Sequence, residues 1–120
     1  MLNEDNQETI RNFTRNIKKI EYPDTIIAMA TAKTYMTGFR NVEIESIRLP
    51  KNLKILDNKF FWEYYNLKNI YIYKDIEYIG NEALCGSITT IRMQGKADSI
   101  SGAPWGAYKA TVNWNCDSEQ

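Results

Sequence analysis

The chain has 120 residues, of which 43% are hydrophobic and 25% charged, the composition of one ordinary globular domain with no room for a second core. Its 15 Lys+Arg balance 15 Asp+Glu, which argues against nucleic acid or an anionic membrane as main partner, because both require a concentrated cationic surface. The absence of histidine excludes His-dependent catalytic dyads and triads and His-containing zinc sites.

The N-terminal segment, residues 1–41, predicts a cap or a docking element. Ile10, Phe13, Ile17 and Ile20 lie three or four residues apart, which places them on one stripe of a helix. A proline then interrupts the pattern, and residues 24–37 are mostly apolar and fit a helix or a strand. We expect one or two helices that cover the open end of the next region, or alternatively a segment that attaches it to something larger.

Export by an ordinary signal is not expected, because the polar and acidic start Met1–Glu8 is unlike a signal peptide. No apolar run approaches the roughly 20 residues of a membrane helix.

A repeat of 21 to 23 residues occupies residues 42–115. In the middle copy, five apolar residues are separated by three, two, four and three positions, and the same positions are apolar one copy back and one copy forward. A fourth copy begins at Val112 and Trp114, before a polar tail at residues 116–120. The repeated positions are Ile44, Ile47, Leu49, Leu53 and Leu56; Leu67, Ile70, Ile72, Ile76 and Ile79; and Ile88, Ile91, Met93, Ala97 and Ile100.

This pattern predicts a solenoid of stacked coils. Ile70-x-Ile72 alternates as a half-buried strand does, and one copy cannot bury its own apolar face. Stacking the copies pairs parallel strands about 4.8 Å apart and joins the isoleucines into one core. The fourth strand would then have an open edge, which either joins a neighbouring subunit or is shielded by the acidic tail.

The repeat resembles the BspA-type (Treponema-type) leucine-rich repeat. The resemblance rests on Ile47-Arg-Leu-Pro-Lys-Asn-Leu53, Leu67-Lys-Asn-Ile-Tyr-Ile72 and Ile76-Glu-Tyr-Ile-Gly-Asn-Glu-Ala-Leu84, with Cys85 at a frequent cysteine position of that family. It covers residues 42–115, and residues 1–41 do not fit the pattern. It implies an α/β solenoid: a short leucine-rich-repeat array of three repeats and a truncated fourth, with parallel strands and an N-terminal helical cap.

The closing segments Ser101-Gly-Ala-Pro-Trp-Gly-Ala107 and Ala110-Thr-Val-Asn-Trp114 resemble the terminal piece of such repeats in tail and baseplate proteins of Gram-positive phages and prophages. The resemblance implies a virion or extracellular tail-like particle, made in the bacterial cytoplasm, as the location. Its partners would be other tail proteins and a protein or glycan of the host surface. The alternative that the family suggests is a bacterial cell-surface adhesin.

Candidate binding residues lie between the buried isoleucines, on the exposed face of the strands. One column across the stacked strands contains Arg48, Tyr71, Arg92 and Asn113, and a neighbouring column contains Tyr73 and Gln94. Arginine beside tyrosine on adjacent strands suits a cation–π contact, and both residue types are enriched at interface hot spots. The alternative interpretation is a ladder that only solvates the sheet.

An aromatic cluster at residues 60–65 is the second candidate surface. The repeat assigns Phe60 and Phe61 to the core, which leaves Trp62, Tyr64 and Tyr65 on a connecting turn, where flat rings could stack on a sugar. Trp105 is expected to cover the last complete repeat.

Catalysis has little support. Cys85 falls where a small buried residue belongs and has no histidine to activate it, and Cys116 is expected to be an exposed thiol. We find no phosphate-binding loop or metal-ligand cluster in the sequence and expect no cofactor. The sequence therefore predicts a non-enzymatic interaction module within a larger assembly, with a small enzyme of unknown reaction as the remote alternative.

Overall fold

The computed structural model describes residues 20–30, 43–62 and 64–117. These residues form seven short strands, all in parallel pairs, and contain no helix. The strands are β1 (Ala28–Met29), β2 (Ser46–Arg48), β3 (Ile55–Leu56), β4 (Asn69–Ile72), β5 (Tyr78–Ile79), β6 (Thr90–Met93) and β7 (Thr111–Asn113).

The four-stranded sheet has the order β2-β4-β6-β7, so each coil adds one strand beside the strand of the preceding coil. Ile47, Ile70, Ile91 and Val112 occupy the same register position on these four strands. Because the sequence repeats in step with the coil, apolar positions meet apolar positions across the sheet. The predicted solenoid of stacked coils with parallel strands is confirmed.

The second sheet has the order β1-β3-β5 and lies on the return path of the coils. Met29, Leu56 and Ile79 share a register position and are buried. Strand β1 therefore resolves the choice between helix and strand at residues 28–29 in favour of a strand. The rest of the expected helical cap, at residues 1–19 and 31–41, lies outside the described residues.

The core is one continuous column of side chains from successive coils. Of the repeated apolar positions, all are buried except Ala97, which is exposed, and Ile100, which is half-buried. The expectation that these two positions are core is thus wrong for Ala97. Asp98, in the same coil, adopts a left-handed backbone conformation with φ of 64°, and the described residues of this coil add no strand to the sheet that contains β3 and β5.

Side-chain hydrogen bonds connect the return paths of adjacent coils. Asn58 Oδ1 accepts the backbone N–H of Asn81 at 2.9 Å and the hydroxyl of Tyr78 at 3.1 Å. Gly80 lies against Asn58 so closely that an added Cβ would stand 2.5 Å from the Asn58 backbone nitrogen. The coils therefore approach each other through a position that accepts only glycine.

Within the described ranges, no helix has the length and apolar character needed to cross a membrane.

Candidate binding cleft

An open cleft of 530 Å³ lies on the outer face of the four-stranded sheet. Strand alternation creates its floor, because the residues on either side of the buried Ile47 and Ile70 must point outward. The N-terminal segment contributes one wall. The lining consists of Ile20 and Glu21 from that segment, Ser46, Ile47 and Arg48 from β2, Asn69, Ile70 and Tyr71 from β4, and Arg92 from β6.

Arg48, Tyr71 and Arg92 lie side by side on three adjacent strands, as the repeat predicts. Arg48 is exposed and Arg92 is half-buried. Parallel strands are about 4.8 Å apart, so the two guanidinium-bearing residues start about 9.6 Å from each other, one on each side of the tyrosine. The strand register alone therefore brings two cations and an aromatic ring to one cleft.

Tyr71 differs from the expectation of an exposed ring, because it is only 4% exposed. Its hydroxyl donates a 2.6 Å hydrogen bond to the backbone carbonyl of Cys116, and its ring meets Tyr73 edge-on, with 5.0 Å between the ring centroids. The C-terminal segment thus holds Tyr71 against the sheet. Tyr71 forms a rigid wall of the cleft rather than a freely accessible surface.

The remaining residues of the two predicted columns do not line this cleft. Tyr73 is half-buried beside Tyr71, and Asn113 is exposed on β7. Gln94 is half-buried, and its Oε1 accepts the backbone N–H of Lys74 at 2.9 Å. That bond gives Gln94 a structural role between adjacent coils.

The aromatic cluster divides into surface and core residues. Trp62 and Tyr65 are exposed, as predicted, and Phe61 is fully buried, whereas Phe60 is half-buried. The interpretation of Tyr64 as a surface residue is wrong, because its side chain is only 9% exposed and its ring packs edge-on against Phe61 at 4.9 Å. The spacing in the sequence indicates this burial. Tyr64 lies three residues before Leu67, just as Cys85, which is expected to be buried, lies three residues before the equivalent Ile88.

Two tyrosines on the N-terminal side of the array are held in their neutral form. Burial raises the pKa of Tyr64 to about 12, because the phenolate would lose its hydration. Burial also raises the pKa of Tyr22, and the nearby Tyr64 adds to the effect by charge repulsion. Both side chains therefore act as packing groups at neutral pH.

Cys85 and Cys116 are not joined by a disulfide bond. Cys85 is buried, its thiol donates to the Tyr64 carbonyl, and it also shares a hydrogen bond with Ser87 Oγ. Cys116 is half-buried rather than fully exposed as expected, because its backbone N–H continues the pairing with Met93. The described part of the chain has no group of three residues suited to hold a metal ion.

Trp105 is buried at the end of the array, the position expected of a cover for the last complete repeat. Its indole N–H donates to the Ser101 carbonyl at 2.7 Å, and its ring lies edge-on to Trp114 at 6.4 Å. These contacts shield the core from the C-terminal side.

Ile20 and Glu21 are the cleft residues that the sequence did not indicate. They precede the first described strand and belong to no copy of the repeat recognised in the sequence. Their place beside Arg48 and Tyr71 follows from tertiary packing, for which the local sequence gave no signal. By contrast, the repeat itself places Ser46 and Asn69 in one column beside the arginine–tyrosine column, as the strand register shows.

Two parallel sheets built from successive coils define the chain as a leucine-rich-repeat solenoid. Residues 6–105 match the BspA type leucine rich repeat region, with six copies, and the chain belongs to this family. The match begins well before residue 42, which agrees with β1 and corrects the expectation that residues 1–41 do not fit the repeat. No curated protein and no solved structure matches the chain. Repeat arrays of this kind are protein-interaction modules.

Proposed function

We propose that the chain is a non-enzymatic interaction module that binds a partner protein through the cleft on its four-stranded sheet. The observation that carries this proposal is the alignment of Arg48, Tyr71 and Arg92 in one register across three strands that line the cleft. Arginine and tyrosine are the residue types most often found at the centres of protein interfaces. The buried tyrosine fixes the geometry before binding, which lowers the entropy cost of association.

The charge of the cleft indicates the chemistry of the partner surface. Two arginines flank the tyrosine, and Glu21 lies at the wall. A planar guanidinium binds carboxylates in a bidentate geometry, so a partner segment with acidic side chains suits a cleft lined by two arginines.

The setting we propose is a phage tail or a tail-like bacteriocin particle, where the chain would be a baseplate or fibre-associated component. The support is the resemblance of its closing segments, residues 101–107 and 110–114, to the terminal piece of repeats in phage-borne tail proteins. Its partners there would be other tail proteins or a surface molecule of the host. A cell-surface adhesin is the second candidate, because the same family of repeats suggests it.

The cleft is tested with the double variant Arg48→Ala/Arg92→Ala in the full chain. Binding to purified tail particles and to intact host cells is measured by co-sedimentation. We expect affinity to fall by about thirtyfold or more, the effect of losing interface hot-spot residues. The double variant Lys51→Ala/Lys68→Ala removes the same charge from exposed positions outside the cleft and should bind as the parent does.

Urea denaturation of both double variants separates a binding defect from a folding defect. Equal affinity of the parent and the arginine double variant, with both folded, would refute the role of the cleft.

The setting is tested by fractionation of lysed bacteria that carry the gene, with an antibody against this chain. The proposal expects the chain in purified particles and its location on the tail by immuno-electron microscopy. A chain that is found in the cell-wall fraction and absent from particles supports the adhesin instead. A soluble monomer in neither fraction contradicts both settings.

A further inference from the structure

Three successive coils make the same tight turn just before the strands of the four-stranded sheet. In each turn, a backbone carbonyl accepts the N–H of the residue three positions later: Tyr64 from Leu67, Cys85 from Ile88 and Ala107 from Ala110, at 2.9 to 3.2 Å. All three accepting residues are buried. The residues that follow them, Tyr65, Gly86 and Tyr108, therefore occupy equivalent positions in three neighbouring coils.

This column presents two exposed tyrosines with a glycine between them. Tyr65 is 56% exposed. Tyr108 is 77% exposed, which is more than any other large hydrophobic side chain of the described residues. A Cβ added at Gly86 would have no neighbour within 4 Å. The space above the middle coil is thus open, and an aromatic side chain stands on each side of it.

The spacing of the coils sets the width of this slot. Two steps of about 4.8 Å place the two tyrosines about 9.6 Å apart at the backbone. A ring held between two aromatic faces needs two van der Waals contacts of about 3.5–4.0 Å, or about 7–8 Å in total. The backbone spacing therefore leaves enough width for one ring between the two side chains.

We propose that Tyr65, Gly86 and Tyr108 form a binding slot for one pyranose ring of a glycan. The C–H faces of a sugar ring pack on the tyrosine faces, and its hydroxyl groups point to the rim. The rim is polar there, because the residues after the two tyrosines are the exposed Asn66 and Lys109. A slot one ring wide, with polar rims, suits a sugar better than an extended peptide, which needs a continuous groove.

The slot is separate from the cleft, since none of its three residues lines that cleft. The inference therefore does not depend on the proposed function.

The test measures saturation-transfer NMR between the full chain and four soluble probes: disaccharides of glucose, galactose, rhamnose and N-acetylglucosamine. We expect at least one probe to bind through its ring protons, and Tyr65→Ala or Tyr108→Ala to weaken that binding about tenfold, as the loss of an aromatic anchor does. Tyr78→Ala, which removes an exposed tyrosine from the other sheet, is the matched control and should leave binding unchanged.

A second variant blocks the slot without removing an aromatic residue. Gly86→Leu fills the open space and should abolish sugar binding with no loss of folding, because its Cβ meets no other atom and Gly86 has no left-handed backbone. Ala97→Leu adds the same side chain at another exposed position and should bind as the parent does.

The proposal is overturned if none of the four probes binds, if binding survives Gly86→Leu in a folded protein, or if a proline-rich peptide binds the slot and the sugars do not.

Discussion

Gly80 shows how one residue sets the distance between two coils. An added Cβ at this position would lie 2.7 Å from the Asn58 Cα as well as 2.5 Å from its nitrogen. These are backbone atoms, which cannot move aside without opening the hydrogen bonds that Asn58 makes to the next coil. The leucine-rich repeat therefore needs glycine here for contact between coils.

Gly80→Ala is expected to lower the free energy of unfolding by about 2 kcal/mol or more, as overpacking of a tight site does. Gly86→Ala is the matched control, because a Cβ there meets nothing. That change should be neutral or slightly stabilising, since alanine restricts the unfolded chain. Urea denaturation of both variants measures the difference, and equal stabilities would show that the coils can separate at Gly80 without cost.

The buried hydroxyl of Tyr64 predicts a loss of stability at high pH. Its pKa rises from 10.0 to about 12 on folding, so between these values the unfolded chain loses a proton that the folded chain keeps. The contribution of Tyr64 to the free energy of unfolding should therefore be constant below pH 10 and fall as the pH rises from 10 to 12. Tyr22, whose pKa is also raised by burial, should add to this fall. Tyr64→Phe should reduce this fall, because it removes the buried ionisable hydroxyl.

Urea denaturation at pH 8, 10 and 11.5 provides the measurement. An equally steep decline in the parent and in Tyr64→Phe would place the titrating groups elsewhere.

Strand positions were easier to predict from the sequence than turn positions. A fixed step of 21 or 23 residues converts directly into strand register, so the sequence alone aligns Arg48, Tyr71 and Arg92. Tyr64 was misassigned because the turn of its coil is longer: six positions separate Phe61 from Leu67, but four separate Leu84 from Ile88. When two coils have turns of different length, a residue in one turn cannot be matched to the other coil by a fixed number of positions, and its burial is then predicted wrongly.

Elements outside the recognised repeat were the hardest to predict. Strand β1 has two residues, and its pairing with β3 is a long-range contact that its own sequence does not specify. The position of Ile20 and Glu21 at the cleft wall also depends on long-range contacts. Local pattern and register together predicted the floor of the site, and tertiary packing supplied its wall.

Tyr71→Phe is expected to loosen the C-terminal element. The change removes the hydrogen bond from the hydroxyl to the Cys116 carbonyl and should lower the free energy of unfolding by about 1 kcal/mol. The Cys116 amide, which bonds to the Met93 carbonyl, should then exchange with solvent faster. Hydrogen-exchange NMR measures this effect, with Tyr65→Phe as control; unchanged exchange would mean that Tyr71 does not hold the segment in place.

At the scale of the whole molecule, each coil is stabilised only by the coils beside it. Strand β4 lies between β2 and β6, whereas β7 pairs with β6 alone among the described strands. Burial follows the same order, since the residues of β4 after Asn69 are buried and none of β7 is. Stability should therefore decrease from the middle of the array towards its C-terminal end.

Hydrogen exchange of the parent protein tests this gradient. We expect the amides of Ile70 and Ile72 to exchange most slowly and those of β7 to exchange at least about tenfold faster, a difference of about 1.4 kcal/mol in local opening. Equal rates in β4 and β7 would indicate that the array unfolds in a single cooperative step.

Because each middle coil offers the same hydrogen-bonding geometry on both of its sides, the gene could lengthen this protein by duplicating one unit of about 22 residues. The inserted unit would find matching neighbours above and below, and both ends of the stack would keep their present surroundings. Such a copy would add one more arginine or tyrosine to the column that contains Arg48, Tyr71 and Arg92. Evolution could in this way extend the reach of the molecule along a partner without redesigning any interface inside it.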